Sequence, residues 1–298
     1  MTEVLRVAQL SDTHFREPGA EPEGGHSYDT SEAFEAVLEH LGGRDDIDLF
    51  VVTGDLADHG RAEQYEIASA ALSRLPAPVH LVPGNHDNDD PFRAGVADSG
   101  LPAPRVTLHD SWAFVYVDTN AGQMIPSENG DRIDPPDGAR LHGNGALGDS
   151  ESAWLVDTLA ELDDRHVFVW LHHPPAADVP LCADERYTAE WTALIDRLPA
   201  VRGFGGGHTH VPSAYEFAGR PVFVAPSLKN NFDLAANTWL PPGYRTYRFH
   251  ADGSVTSDLV LVDDERWPRR PFGRAIRSLL MGEITYAELA EIVARRSS

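Results

Sequence analysis

Five short stretches carry side chains that could do chemistry together: SDTH (11–14), GDLAD (54–58), GNHD (84–87), LHHPP (171–175) and GHTH (207–210). Taken singly, each has an ordinary reading. Asp12 and His14 alone would be polar loop residues, Asp55 and Asp58 would complement a helix N-terminus, and GNHD would be a turn. As a set they supply aspartates, an asparagine and histidines in one chain, and six of its fourteen histidines fall inside the motifs. Histidine is the commonest metal ligand near neutral pH, and mixed oxygen and nitrogen donors without thiolates favour Mn, Fe, Zn or Co over an all-oxygen site for Ca or Mg. A closed structural zinc site needs four ligands. This set is larger and suits two ions, held about 3.5–4 Å apart by a shared carboxylate, which form a clamp for in-line displacement at phosphorus.

Such residues must be delivered to one place by regular elements. VLRVAQLSD (4–12), DLFVVTGD (48–55) and PVHLVPGNHD (78–87) read as strands. They alternate with helical spacing over 29–43 and 62–75, a β-α-β-α-β pattern that implies parallel pairing. The polar motif follows each strand, at the carboxyl edge where open α/β sheets bind ligands. Residues 105–120 and 167–175 read as further strands and 151–162 as a helix. Residues 201–210, 215–227, 243–254 and 255–262 read as an antiparallel second half, the last two joined by a turn at Asp252 and Gly253. The Gly/Pro/Asn-rich stretch 121–148 is long for a connector and suits a binding loop or lid. Residues 1–264 read as one domain. From Glu265 to Ser298 seven Arg face four Glu, and Thr285 with Glu288 makes a capping-box pattern ahead of an amphipathic helix. That tail suits a helix packed on the domain, a contact between copies in a homo-oligomer, or a cap over a neighbouring site.

A net charge of −23 disfavours long nucleic acid as a partner, since little is gained by counterion release. Small anions stay open, because bound metal ions reverse the local field. No basic stretch followed by an apolar run opens the chain, and no apolar run approaches the roughly 20 residues that span a bilayer. One cysteine, Cys182, makes no intrachain disulfide. A cytoplasmic protein without a membrane partner is expected.

The ordered set D-x-H, G-D-x-x-D, G-N-H-D, a later H and G-H-x-H resembles the calcineurin-like metallophosphoesterases over roughly residues 5 to 210. TGDLADHGRAEQY, VPGNHD and ALGDSESAWL further resemble the class III cyclic nucleotide phosphodiesterases, a branch that includes glycerophosphodiesterases. The resemblance implies a four-layer α/β/β/α sandwich with two central mixed sheets. It implies that Asp12, His14, Asp55 and His210 hold one metal while Asp55, Asn85, His172 and His208 hold the other, Asp55 being the bridge. His173 is the rival to His172, which is preferred.

In that scheme a hydroxide between two cations attacks phosphorus opposite the leaving group, and the metals and Asn85 stabilise the developing charge. His86 protonates the leaving oxygen and Asp58 orients His86. The expected substrate is a small phosphodiester, foremost a 3′,5′-cyclic nucleotide. A glycerophosphodiester or a phosphomonoester is the alternative, and a non-catalytic binding scaffold is the rival of another class. The segments after HHPP and after APS carry no recognisable substrate signature. His26, Asn120, His142 and Asn144 could border the site from loops.

Overall fold

The run LFVVT offers almost no polar face, and as a strand (Leu49–Thr53) it is buried on both sides. Leu49 and Val51 join one apolar cluster and Phe50 and Val52 another, as a two-residue period requires. A sheet covered on both faces follows from that division. The structure, a computed structural model, describes residues 4–19, 29–42, 44–87, 89–122, 125–126, 132–133, 143, 145–162, 164–267 and 269–297.

In chain order the strands are β1 (Leu5–Leu10), β2 (Leu49–Thr53), β3 (Val79–Val82), β4 (Val106–His109), β5 (Trp112–Tyr116), β6 (Ile125–Pro126), β7 (Arg132–Ile133) and β8 (His166–Trp170). They continue with β9 (Val201–Gly206), β10 (Ser213–Phe217), β11 (Arg220–Val224), β12 (Asn231–Asp233), β13 (Thr238–Leu240), β14 (Gly243–Phe249) and β15 (Val255–Leu261). The helices are α1 (Thr30–Leu41), α2 (Ala62–Leu72), α3 (Asp89–Ser99), α4 (Gly148–Ala160), α5 (Glu185–Ile195), α6 (Arg274–Leu280) and α7 (Tyr286–Ser297). Among the described residues one sheet runs β15-β14-β1-β2-β3 and another β10-β11-β9-β8-β5-β4.

Phe34, Val37 and Leu41 of α1 and Tyr65, Ala68 and Leu72 of α2 pack with Ala8, Leu10, Phe50 and Val52 of the first sheet. Leu155 and Leu159 of α4 and Trp191 and Ile195 of α5 pack with Ala113, Val115, Val167 and Val169 of the second. Between the sheets lie Val7, Val51, Phe114, Phe168, Trp170, Tyr247 and Phe249. The layers are therefore helix, sheet, sheet, helix, the expected sandwich. Its centre is aromatic: the Trp170 and Tyr247 rings meet edge to face at 5.1 Å, a geometry worth roughly 0.5–1.5 kcal/mol beyond burial.

Buried polar side chains cross between the sheets, Gln9 and Arg245 among them. Gln9 Nε2 donates to Thr53 Oγ1 at 2.7 Å and to the Gly206 carbonyl at 2.8 Å, while its Oε1 accepts from the Tyr247 hydroxyl. It thereby ties the first sheet to the second at the ends of β2 and β9.

The parallel pairing of β1, β2 and β3 is as the alternating pattern predicts. The second half differs from expectation. β5 with β8 and β8 with β9 pair parallel because α4 and α5 intervene and carry the chain back across the sheet, and β9 with β11 pairs parallel because the chain returns through β10, on the far side of β11. Antiparallel pairing is found here in the hairpins β10 with β11 and β14 with β15, and where β14 lies beside β1. The stretch 215–227 is split where Ala218 and Gly219 turn with φ of 48° and 73°.

The tail is packed on the domain. Trp267 joins the cluster under α1 and α2, Phe272 and Leu280 pack with Phe232 and Trp239, and Arg277 Nη1 donates to the Leu234 carbonyl at 2.8 Å. The Thr285–Glu288 capping box forms in both directions. Among the described residues no helix is long and apolar enough to cross a membrane.

Candidate metal centre

Asp12 follows β1, Asp55 follows β2, Asn85 follows β3, His172 follows β8 and His208 follows β9, so both sheets deliver motif residues at their carboxyl edges. The backbone there is bent hard. Asp12, His14, Asp55, His208 and His210 have φ of 51°, 42°, 52°, 69° and 53°. This left-handed region costs roughly 1–3 kcal/mol per residue, and Asp and His are among the side chains that tolerate it best. Hydrogen bonds along the loops hold the bends: Asp12 N donates to the Gly54 carbonyl at 3.0 Å and His14 N to the Asp55 carbonyl at 2.8 Å. Three motif glycines are sterically required, and at Gly207 a Cβ would strike the Ser11 hydroxyl and the Asp12 carboxylate. Gly54 has a φ of 90°, and a Cβ there would strike the His172 ring; a Cβ on Gly84 would strike the Asp55 carboxylate.

The candidate ligands converge in overlapping groups. Potential donor atoms of Asp12, His14 and His210 lie within 4.8 Å of one another, as do those of Asp12, Asp55 and His172. Asp55 faces both sides: Oδ2 is 3.4 Å from His14 Nε2 and Oδ1 is 3.4 Å from His172 Nε2. Asn85 Oδ1 is 3.0 Å from His172 Nε2 and 3.0 Å from His208 Nδ1. His210 Nε2 is 3.2 Å from Asp12 Oδ1. All seven residues named as ligands are thus brought together.

Their outer contacts fix which nitrogen faces inward. His172 Nδ1 donates to the Thr53 carbonyl at 2.8 Å, which turns the lone pair of Nε2 toward Asp55 and Asn85. His173 is engaged at both nitrogens: Nε2 donates to the Gly143 carbonyl at 2.8 Å and Nδ1 accepts from the Thr119 hydroxyl at 2.7 Å. It also lies within the group formed with His172 and His208, yet a ring with both edges occupied has no lone pair to give.

Protonation suits cation binding. Burial disfavours charge on Asp55, but His172 and His86 hold its carboxyl well below the usual range. Asp12 is likewise lowered, by His210 and His172 against the effect of burial. Burial and the Lys229 ammonium push His14 down to about 3, and burial with His172 pushes His208 to about 3, so both rings are neutral donors at neutral pH. His172 moves the other way: burial opposes its charge, but Asp55 and Asp12 raise it to about 9, so a cation would displace its proton. Nε2 of buried His14 makes no hydrogen bond among the described residues. Such an orphan beside two ionised carboxylates fits a metal-binding donor set.

Asp58 departs from the expected arrangement. His86 Nδ1 donates to the Asp58 carbonyl at 2.7 Å, whereas the Asp58 carboxylate lies 3.0 Å from His14 Nδ1 and 2.7 Å from Lys229 Nζ. The main chain of Asp58 orients His86, because its side chain is drawn to a buried cation and a ligand histidine. His86 N also donates to Asp55 Oδ1 at 2.9 Å.

Asp87, the last residue of GNHD, has a part that its motif alone did not reveal. Fully buried, it accepts from Leu56 N, Ala57 N, Gly84 N and the Tyr65 hydroxyl, clasping the GDLAD and GNHD loops together. Its donors, drawn from three separate stretches of chain, were not readable from spacing. Lys229 was foreshadowed only by being the sole lysine of the chain. Of the loop residues, Asn120 N bonds Asp118 Oδ1 at 2.9 Å, and His26, His142 and Asn144 lie outside the described residues.

A comparison with protein families decides the assignment: the calcineurin-like phosphoesterase profile matches residues 5–212. The chain belongs to the calcineurin-like phosphoesterase family. It is 27% identical over 272 residues to the 3′,5′-cyclic adenosine monophosphate phosphodiesterase CpdA of Escherichia coli K12, covering 88% of this chain and 92% of that one. It is 28% identical over 211 residues to the glycerophosphodiester phosphodiesterase GpdQ of Enterobacter lignolyticus, covering 69% and 71%. In fold it resembles a dimetal phosphatase from Danio rerio, with a TM-score of 0.56 at 14% identity over 87% of this chain and 99% of that one. This phosphoesterase is a metal-binding hydrolase of phosphoesters, in the branch that the three longer stretches suggested.

Proposed function

We propose that the chain hydrolyses a small phosphodiester, foremost a 3′,5′-cyclic nucleotide, at a dinuclear centre. The observation that carries this reading is the position of Asp55, whose two carboxylate oxygens face His14 on one side and His172 on the other. Asp12, His14, Asp55 and His210 would hold one ion, and Asp55, Asn85, His172 and His208 the second. Mn, Fe, Zn or Co suits these donors. Two bound cations would supply an activated water and a clamp on the phosphoryl oxygens.

The chain's own groups do the rest. Main-chain bonds from His86 N to Asp55 and from Leu56 N and Ala57 N to Asp87 hold the GNHD loop against the bridge. The His86 ring, anchored by Nδ1 to the Asp58 carbonyl, transfers a proton to the leaving oxygen through Nε2. Asn85 directs its amide at the same centre. In this reading residues 1–264 are the catalytic domain and residues 265–298 its packed extension. The cyclic nucleotide is placed first because CpdA of Escherichia coli K12 is matched along 88% of this chain, against 69% for GpdQ.

Rates for cyclic AMP, a glycerophosphodiester and a phosphomonoester, measured side by side with Mn and after chelation, test the proposal. Chelator-sensitive turnover with cyclic AMP fastest is expected. A preference for the monoester overturns the diester reading, and a protein inactive on all three with Mn bound is a scaffold.

A further inference from the structure

Residues 227–231, SLKNN, leave β11 and run against one half of the centre. Leu228 N donates to the Asp12 carbonyl at 3.1 Å and Ser227 Oγ to the same oxygen at 3.2 Å. Lys229 is 9% exposed, and its Nζ lies 2.7 Å from Oδ1 of fully buried Asp58. The Asp58 carboxylate in turn lies 3.0 Å from Nδ1 of His14. Asn230 Oδ1 accepts from Nδ1 of His210 at 2.5 Å. The segment is itself pinned: Ser227 N donates to Asn231 Oδ1 at 2.7 Å, and Asn231 Nδ2 donates to the carbonyls of Ser227 and Pro241 at 2.8 and 2.9 Å.

These contacts reach Asp12, His14 and His210. On the other half, His172 is backed by the Thr53 carbonyl instead. An outer partner that fixes a ligand ring and its tautomer controls affinity, and losing one costs about 10–100-fold. Lysine suits the inner place because its ammonium is a compact point charge, whereas the guanidinium used at the chain's other 23 basic positions is broad and planar.

We propose that Lys229 and Asn230 are positioning residues that set metal affinity at the Asp12–His14–His210 position and leave the Asn85–His172–His208 position unchanged. The inference rests on the dinuclear reading above. The chain thereby carries its own means of making the two positions unequal: an ion pair and an amide on one side, a main-chain carbonyl on the other.

Metal-free full-length protein is titrated with Mn, with binding followed by calorimetry and electron paramagnetic resonance. Wild type takes up two equivalents and ends in a spin-coupled pair. Lys229→Met and Asn230→Ala keep one tight equivalent, bind the second about 10–100-fold more weakly, and show an isolated-ion signal at intermediate Mn. Asn230→Asp, which keeps the acceptor oxygen and adds a charge, binds both equivalents at least as tightly as wild type. Should Lys229→Met fail to fold, the Asn230 pair decides alone, since that side chain is partly exposed. Wild-type affinities in Lys229→Met and Asn230→Ala, or equal weakening of both equivalents, overturn this inference and leave the dinuclear reading standing. A wild type that takes up fewer than two equivalents overturns both.

Discussion

The Asp58 carboxylate faces Nδ1 of His14 at 3.0 Å, while His86 receives only the carbonyl oxygen of the same residue. The second aspartate of GDLAD is thus tied through its side chain to a candidate metal ligand and through its main chain to the candidate proton donor. Substitution separates the two roles, because a carbonyl survives any change of side chain.

Asp58→Ala is therefore expected to lower metal content, and His86→Ala to leave it nearly unchanged while slowing hydrolysis by about 10²–10⁴. Elemental analysis of the purified variants, beside rates on a diester with a poor leaving group, checks both. Full metal content in Asp58→Ala would return its side chain to a role at His86.

His172 and His173 stand next to each other and differ in what they can give. Removing His172 should cost a metal equivalent. His173→Ala should retain both equivalents and lose about 1–3 kcal/mol of stability, since Thr119 and the Gly143 carbonyl lose a partner. Metal content and thermal unfolding of the two variants decide between the rings.

Asp87→Asn sets an amide NH₂ among groups that donate to the native carboxylate. An expected loss of about 1–3 kcal/mol follows from leaving a buried donor unsatisfied. Denaturant unfolding measures it, and an unchanged midpoint would show that the two loops are held by other means.

His80 lies on β3 away from the centre, its Nδ1 2.7 Å from the Tyr116 hydroxyl. Burial, with a smaller push from His109, lowers it from 6.5 to about 4. Below pH 6.5 the unfolded chain takes up a proton that the folded chain refuses, so its stabilising contribution is present above that pH and is lost as pH falls toward about 4. The drop in melting temperature between about pH 7.5 and about pH 5 should be smaller in His80→Gln than in wild type. Equal drops would remove His80 from the acid response.

Much of this was legible in the residues. Asp12, Asp55 and Asn85 could be placed at strand ends because their strands are apolar and alternate with helical spacing, a pattern set by local periodicity. The side-chain direction of Asp58 was not, since it depends on a lysine that arrives from 171 residues further along the chain. Parallel pairing of β8 with β9 was missed for a related reason: strand direction follows from the crossover helix, and α5, although Tyr187, Trp191, Leu194 and Ile195 fall at helical spacing, lies in the segment after HHPP that was weighed only for substrate contacts. Gln9 was passed over as one polar residue in an apolar run, although full burial without partners would have been costly there.

Gln9 joins Thr53, which precedes the GDLAD motif, to Gly206, which precedes GHTH. The GDLAD and GHTH loops are thereby held together across the aromatic layer beneath them. A change of ring size at Phe114 or Phe249, far from any candidate ligand in sequence and chemistry, would act on the centre as a shim does on a bearing. Substitutions in that layer should then be read also in how the two loops meet, and not in the stability of the fold alone.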